Sequence, residues 1–117
     1  MNGFKFEKLI IWQREMKLGE NINGLSDSFP QKEIYNLSSQ IRRAADSVAL
    51  NIAEGSIVQS SSEYKKFLGY SIRSLAEVVT CLYKAKNRKY IADNEFEEHY
   101  GFCFNLMNML ISFRNKV

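Results

Sequence analysis

The stretch that decides the fold is Leu37–Gly55, LSSQIRRAADSVALNIAEG. Leu37, Ile41, Ala44, Ala45, Val48 and Ile52 recur there at the spacing of one face of an α-helix. Beside that seam, Gln40, Arg43, Ser47, Asn51 and Glu54 recur at steps of 3, 4, 4 and 3. At about 100° per residue these five side chains fall within roughly 80° of one another. One helix therefore carries an oily stripe and, a quarter turn away, an ordered polar one. A cation, an anion, two amides and a hydroxyl can satisfy each other by hydrogen bonding. The stripe predicts a structural network that fixes helix register. The next helix completes it with Ser74 and Glu77, and counting outward from a turn near residue 57 puts Arg43 within reach of Glu77. The same residues could instead line a ligand pocket.

Working outward, the hydrophobic spacing predicts a first helix over Glu7–Asp27, with Ile11, Leu18, Ile22, Leu25 and Phe29 on one seam and Leu9, Trp12 and Met16 on a second. Phe29-Pro30 ends it, because the residue before proline avoids helical angles. The second helix starts between Pro30 and Ser38, with room for a short turn of helix ahead of the main one, and stops at Gly55 as a left-handed C-terminal residue. Ser60 and Glu63 fit a capping box for a third helix. That helix turns Tyr64, Phe67, Leu68, Ser71, Leu75, Val78, Val79, Leu82 and Ala85 inward and ends near Lys89. Asp93 is placed to cap a fourth, with Glu95, Glu97 and Glu98 at its positive end, running to about Arg114. Short loops force antiparallel neighbours. The expectation is an all-α fold, an antiparallel up-down-up-down four-helix bundle, as a single domain over residues 1–117.

Composition agrees. The chain has 117 residues, 45% hydrophobic and 13% aromatic, enough for a core without staples. One proline and six glycines argue against a turn-rich β architecture. Cys81 and Cys103 lie inside helical patterns without metal-ligand spacing and read as reduced thiols of a cytoplasmic protein. The opening MNGFKFEKLIIWQREMK has alternating charge and no cleavage site, which argues against a signal peptide. No apolar run reaches the roughly 18 residues of a membrane span.

Chemistry-bearing constellations are sparse. Glu54 and Glu77 should lie toward opposite ends of a helix pair, which gives no support to a paired-carboxylate mechanism. His99 is the one histidine, and Phe96 occupies the position where a di-iron bundle needs glutamate. Neither cysteine has a histidine at recognisable spacing, and no glycine-rich phosphate loop occurs. No catalytic residue, metal, cofactor or small-molecule substrate is assigned. The run Lys84-Ala-Lys86-Asn-Arg88-Lys89 sits at a helix C-terminus, where cations are favoured, and should face Glu95, Glu97 and Glu98. The other end of the bundle collects Lys5, Lys8, Lys65, Lys66, Arg114 and Lys116 against Glu7, Glu54 and Glu63. That surplus equals the net charge of the chain, +3. Helices 1 and 4 carry more apolar surface than one core face needs, around Trp12, Met16, Phe102 and Met109, which predicts a protein interface.

Trp12-Gln13, Phe29-Pro30, Glu33, Leu37, Gln40, Arg42-Arg43-Ala44-Ala45, Ser47-Val48, Asn51-Ile52-Ala53-Glu54-Gly55, Ser74-Leu75-Ala76-Glu77 and Tyr90-Ile91 follow one another in an order that resembles the four-helix-bundle proteins encoded in intervening sequences of bacterial 23S rRNA genes. Those proteins are similar in fold to the accessory protein of diversity-generating retroelements, a ring-shaped pentamer that binds nucleic acid. The resemblance spans about residues 9–91. The chain departs from the usual pattern at Arg73 (glycine), Glu15 (a small residue) and Asn23 (an aromatic). The resemblance implies a non-enzymatic cytoplasmic homo-oligomer, a pentamer, with RNA or DNA as a possible partner and no membrane. Such a ring would gather the basic ends on one rim, where the fields add. The alternatives are a purely structural or protein-binding scaffold oligomer, or an enzyme using Glu54 or Glu77.

Overall fold

The computed structural model describes residues 3–117; Met1 and Asn2, the first two residues of the stretch read against a signal peptide, lie outside it. Among the described residues there are four α-helices and no strand: α1 Ile10–Ser26, α2 Leu37–Ser56, α3 Ser61–Asn87 and α4 Asp93–Lys116. A 3-10 turn, Lys5–Lys8, precedes α1, and a second, Gln31–Glu33, precedes α2. The helices run antiparallel in an elongated bundle of 44 × 25 × 23 Å. α2 and α3 share the most extensive packing, then α1 with α2 and α3 with α4; of the neighbouring pairs α1 and α4 touch least.

The core follows the predicted seams. Leu37, Ile41, Ala44, Ala45, Val48 and Ile52 of α2 are all buried, facing Leu18 and Ile22 of α1 and Leu68, Leu75, Val78 and Leu82 of α3. α4 contributes Phe96, Cys103, Leu106 and Leu110.

The ends differ from expectation in instructive ways. The first helix begins at Ile10, not Glu7, because Leu9 is extended and the preceding turn hooks back. Phe6 packs edge-on to Trp12 at 5.1 Å, and Gln13 Nε2 donates to the Glu7 carbonyl at 2.8 Å. The short turn ahead of α2 is present. Neither Pro30 nor Ser38 caps α2; the cap position falls on Asn36, whose side chain makes no capping bond, and Glu33 Oε1 instead accepts from the Leu37 amide at 3.4 Å. Ser60 caps α3, its hydroxyl accepting from the Glu63 amide at 3.1 Å, but the return bond of the expected capping box, from the Ser60 amide to Glu63, is not formed. At α4 the cap position falls on Ala92, whose amide donates to Glu95 Oε1 at 2.9 Å; Asp93 is already helical.

Gly55 is not a left-handed terminator. It lies inside α2, and a Cβ built there would stand 2.8 Å from Phe67 Cβ and 3.0 Å from Tyr64 Cδ1. It is a close-approach glycine that lets α2 and α3 meet below their loop. The left-handed residue is Lys89, φ 63°, where the Tyr90 amide closes α3 onto the Ala85 carbonyl at 2.9 Å. Gly55→Ala should therefore destabilise by about 1–3 kcal/mol in chemical denaturation, since overpacking outweighs the roughly 1 kcal/mol helix gain of alanine.

Candidate functional site

The polar stripe divides into a paired centre and exposed ends. Ser74 Oγ donates to Ser47 Oγ at 2.9 Å, and Asn51 Nδ2 donates to Ser47 Oγ at 3.0 Å and to the Ser47 carbonyl at 2.9 Å. Ser71, fully buried, donates to the Val48 carbonyl at 2.8 Å. These bonds tie α2 to α3 at mid-height. Gln40 Nε2 reaches Glu77 Oε2 at 3.3 Å near the far end. The expected contact of Arg43 with Glu77 is corrected: both side chains are exposed, and no ion pair joins them. Arg43 turns a little too far from the seam for α3 to cover it. Glu54 is exposed as well, far down α2 from the Gln40–Glu77 contact. Truncating Arg43 or Glu77 should accordingly cost under about 0.5 kcal/mol, as for exposed charges. Ser71→Ala should cost about 1 kcal/mol, as for a buried hydrogen bond. Parallel urea titrations of the three variants check both values.

Glu33 holds a second network that the sequence reading left without a role. Its Oε2 accepts from Tyr90 Oη at 2.6 Å and from Arg88 Nη1 at 3.2 Å, and its Oε1 accepts from Asn36 Nδ2 at 3.0 Å. The Tyr90 hydroxyl, with the Leu37 amide, Asn36 and Arg88, holds this carboxyl below the usual range against the opposing effect of burial. Arg88 thus pairs with Glu33 and not with the acids at the start of α4, and Lys86 Nζ stands over the Phe96 ring at 4.5 Å. The network staples the α3–α4 loop to the start of α2.

At the opposite end the predicted basic residues are only partly brought together. Lys65, Lys66 and Arg114 line one groove between α3 and α4, with Ser62, Gly69, Tyr70 and Arg73. Arg114 Nε donates to the Lys65 carbonyl at 2.9 Å, which holds its guanidinium over the groove. Arg73 stands 6.0 Å from the centre of the Tyr70 ring. Among the described residues no acidic side chain lines this groove. Lys116 lies beyond it at the end of α4, and Lys5 and Lys8 belong to the turn that packs against α1 and α2. Arg73 is the member missed in sequence, although Lys66, Tyr70 and Arg73 repeat at helical spacing and mark one face.

The surplus apolar surface is also redistributed. Trp12, Phe102 and Met109 are half-buried against the core. Trp12 and Met16 belong to a groove between α1 and α2 that includes Phe6, Ala49 and Leu50. Exposed apolar side chains on α4 are Phe104, 56% exposed, and Ile111, 42% exposed.

The most unusual residue in the molecule is Glu15. It is 1% exposed, and neither carboxyl oxygen has a hydrogen-bond partner among the described residues. Burial pushes its pKa up to about 8. Cys103 from α4 lies close enough that burial and the Glu15 charge together push the thiol up to about 12. A sequence signal was present: Glu15 occupies the gap in the buried series Ile11, Leu18, Ile22.

Among the described residues no three His, Cys, Asp or Glu side chains are grouped to hold a metal ion, and no helix is long and apolar enough to cross a membrane. Both cysteines are free and buried.

The chain is thus a small all-α bundle with polar cross-ties between α2 and α3 and a groove whose charged lining, among the described residues, is basic. The chain belongs to the family of the 23S rRNA-intervening sequence protein, whose model matches residues 7–112. It is similar in fold to a crystal structure of a protein of unknown function from the S23 ribosomal protein family of Bacteroides thetaiotaomicron. That match has a TM-score of 0.83 at 20% identity and covers 90% of this chain and 98% of the other. A search of curated proteins finds no match.

Proposed function

We propose that this protein is a non-enzymatic, cytoplasmic homo-oligomer that associates with RNA or DNA through its phosphates. The observation that carries the reading is the α3–α4 groove, where Lys65, Lys66, Arg73 and Arg114 converge with no acid among the lining residues. Phosphate contacts from lysine and arginine give affinity and register without reading bases, so the binding is tolerant of sequence. Tyr70, half-buried beside Arg73, offers a ring on which an unpaired base can stack. Lys116, Lys5 and Lys8 extend the positive field at the same end.

One such groove is a weak polyanion site, and assembly strengthens it by repetition. The exposed apolar face of α4, Phe104 and Ile111, supplies a contact for other copies. By family resemblance the assembly is a pentameric ring. A purely structural oligomer would use the same α4 face and leave the basic groove idle.

Lys65→Glu combined with Lys66→Glu separates the two readings. Both residues lie on the outer part of α3 and make no side-chain bond, so helicity and stability should hold. Binding of a labelled single-stranded RNA at about 50 mM salt should weaken at least tenfold, and the slope of log K against log salt should fall by about 1.4. Absence of wild-type binding to either RNA or DNA at that salt would leave the structural oligomer as the correct reading.

A further inference from the structure

The groove between α1 and α2 lies away from both the basic groove and the exposed face of α4, and nothing in the proposed function uses it. It has a volume of about 450 Å³, within the range of small-molecule sites. Its walls are Phe6, Trp12, Met16, Ala49, Leu50 and Ala53, and its polar lining is three carboxylates, Glu15, Glu20 and Asp46. Among the described residues no cationic side chain lines it. Glu15 sits at its base with both oxygens unpartnered among the described residues.

We propose that this groove binds a small organic cation, an ammonium or guanidinium group on an apolar stem, with the cationic head paired to Glu15. Three features select that chemistry. A buried carboxyl without a donor is costly, and a charged donor satisfies it more strongly than a neutral one. Glu20 and Asp46 disfavour an anion at the mouth. Apolar walls ending in Trp12 and Phe6, packed edge-on at 5.1 Å, cover an aromatic or alkyl stem. Met16, 46% exposed, and Leu50, 59% exposed, flank the entrance, and burying them against the stem favours closure. This site stands independently of the nucleic-acid reading.

The pH response follows from the burial of Glu15, which raises its pKa to about 8. Glu20 on α1 and Asp46 on α2 line the same groove, and Cys103 on α4 lies beside Glu15 as a neutral thiol. Glu15 therefore holds its proton near neutrality, and a bound cation displaces it. Cation affinity rises about tenfold per pH unit until the carboxyl ionises unaided near pH 8, then levels. A neutral hydroxyl analogue displaces no proton and lacks this tenfold-per-unit rise.

Trp12, the one tryptophan of the chain, reports on the site directly. The test titrates the whole protein with 2-phenylethylamine, 2-phenylethanol and 3-phenylpropionate, following Trp12 emission between pH 6 and 9. The expected result at pH 8 is amine binding about tenfold tighter than alcohol binding, with no response to the carboxylate. Glu15→Gln, a near-isosteric change, should abolish both the amine preference and its pH dependence. A solution mass unchanged by saturating amine would show that the free cation enters an open groove. Three results would overturn the proposal: no Trp12 response to the amine, equal responses to all three head groups, or an amine preference that survives in Glu15→Gln.

Discussion

Stability should fall steeply as pH rises from about 5 to 9, and Glu15→Gln should remove most of that fall. Glu15 is buried among apolar side chains, so its folded-state pKa is raised from 4.5 to about 8. Between those values the folded protein holds a proton that the unfolded chain releases. The raised pKa therefore contributes stability that is fully present below about pH 4.5 and lost as pH rises through 8. At about 1.36 kcal/mol per unit the loss reaches roughly 3–5 kcal/mol. That is a large share of the 5–15 kcal/mol typical of a domain. Water entering the groove as the carboxyl ionises favours the lower figure. At pH 5 the two proteins should be nearly equal, because glutamine leaves the same polar atoms in the same place. At pH 9 the variant should be the more stable by at least about 2 kcal/mol. Urea titrations at four pH values check this, and an identical pH profile for both proteins would show that Glu15 is hydrated and ionised throughout. Glu33 works in the opposite direction. Its depressed pKa, owed first to the Tyr90 hydroxyl, contributes stability above pH 4.5 that is lost as pH falls further.

Phe104→Glu should convert the proposed assembly to a monomer without loss of helix. Phe104 stacks on Tyr100 at 6.2 Å but is otherwise turned outward. The substitution costs the isolated bundle little and places a charge in any contact formed by the α4 face. Loss of assembly by several kcal/mol is expected for an unpaired charge at the centre of an apolar interface. Met109→Glu makes the useful contrast. Met109 is half-buried and packs on the core, so a charge there should lower the urea midpoint of the bundle itself. Equilibrium sedimentation and circular dichroism of the two variants distinguish dissociation from unfolding. An unchanged mass for Phe104→Glu would remove α4 from the interface.

The bundle was legible because its seams are strictly periodic. Leu37 to Ile52 and Leu68 to Ala85 name the buried faces, and only a bundle covers four such faces joined by short loops. Helix ends were less legible because they depend on side chains that arrive from elsewhere. The amide of Leu37 is met by Glu33, itself held by Tyr90 from the far side of the molecule. Gly55 was misread because close approach and a left-handed turn both require glycine, and only the position of Phe67 decides between them. The polar stripe was read correctly in angle but not in depth. A quarter turn from the seam is half-covered for a short serine and open for a long arginine, which extends into water. The basic groove was legible only in part. Lys65, Lys66 and Arg114 converge across α3 and α4, whereas Lys5 and Lys8 share an end of the bundle with them but not a face. Glu15 was visible as a carboxylate in an apolar phase, but its lack of partners is a property of three helices together.

The proposed nucleic-acid association requires assembly, because a single basic groove carries too little charge to hold a polyanion at physiological salt; the exposed Phe104 and Ile111 of α4 are the proposed contact. Sedimentation equilibrium of the unmodified protein at micromolar concentration tests this most directly. A mass several times 13.6 kDa, corresponding by family resemblance to a pentamer, is the predicted result, and a monomer of 13.6 kDa would contradict it.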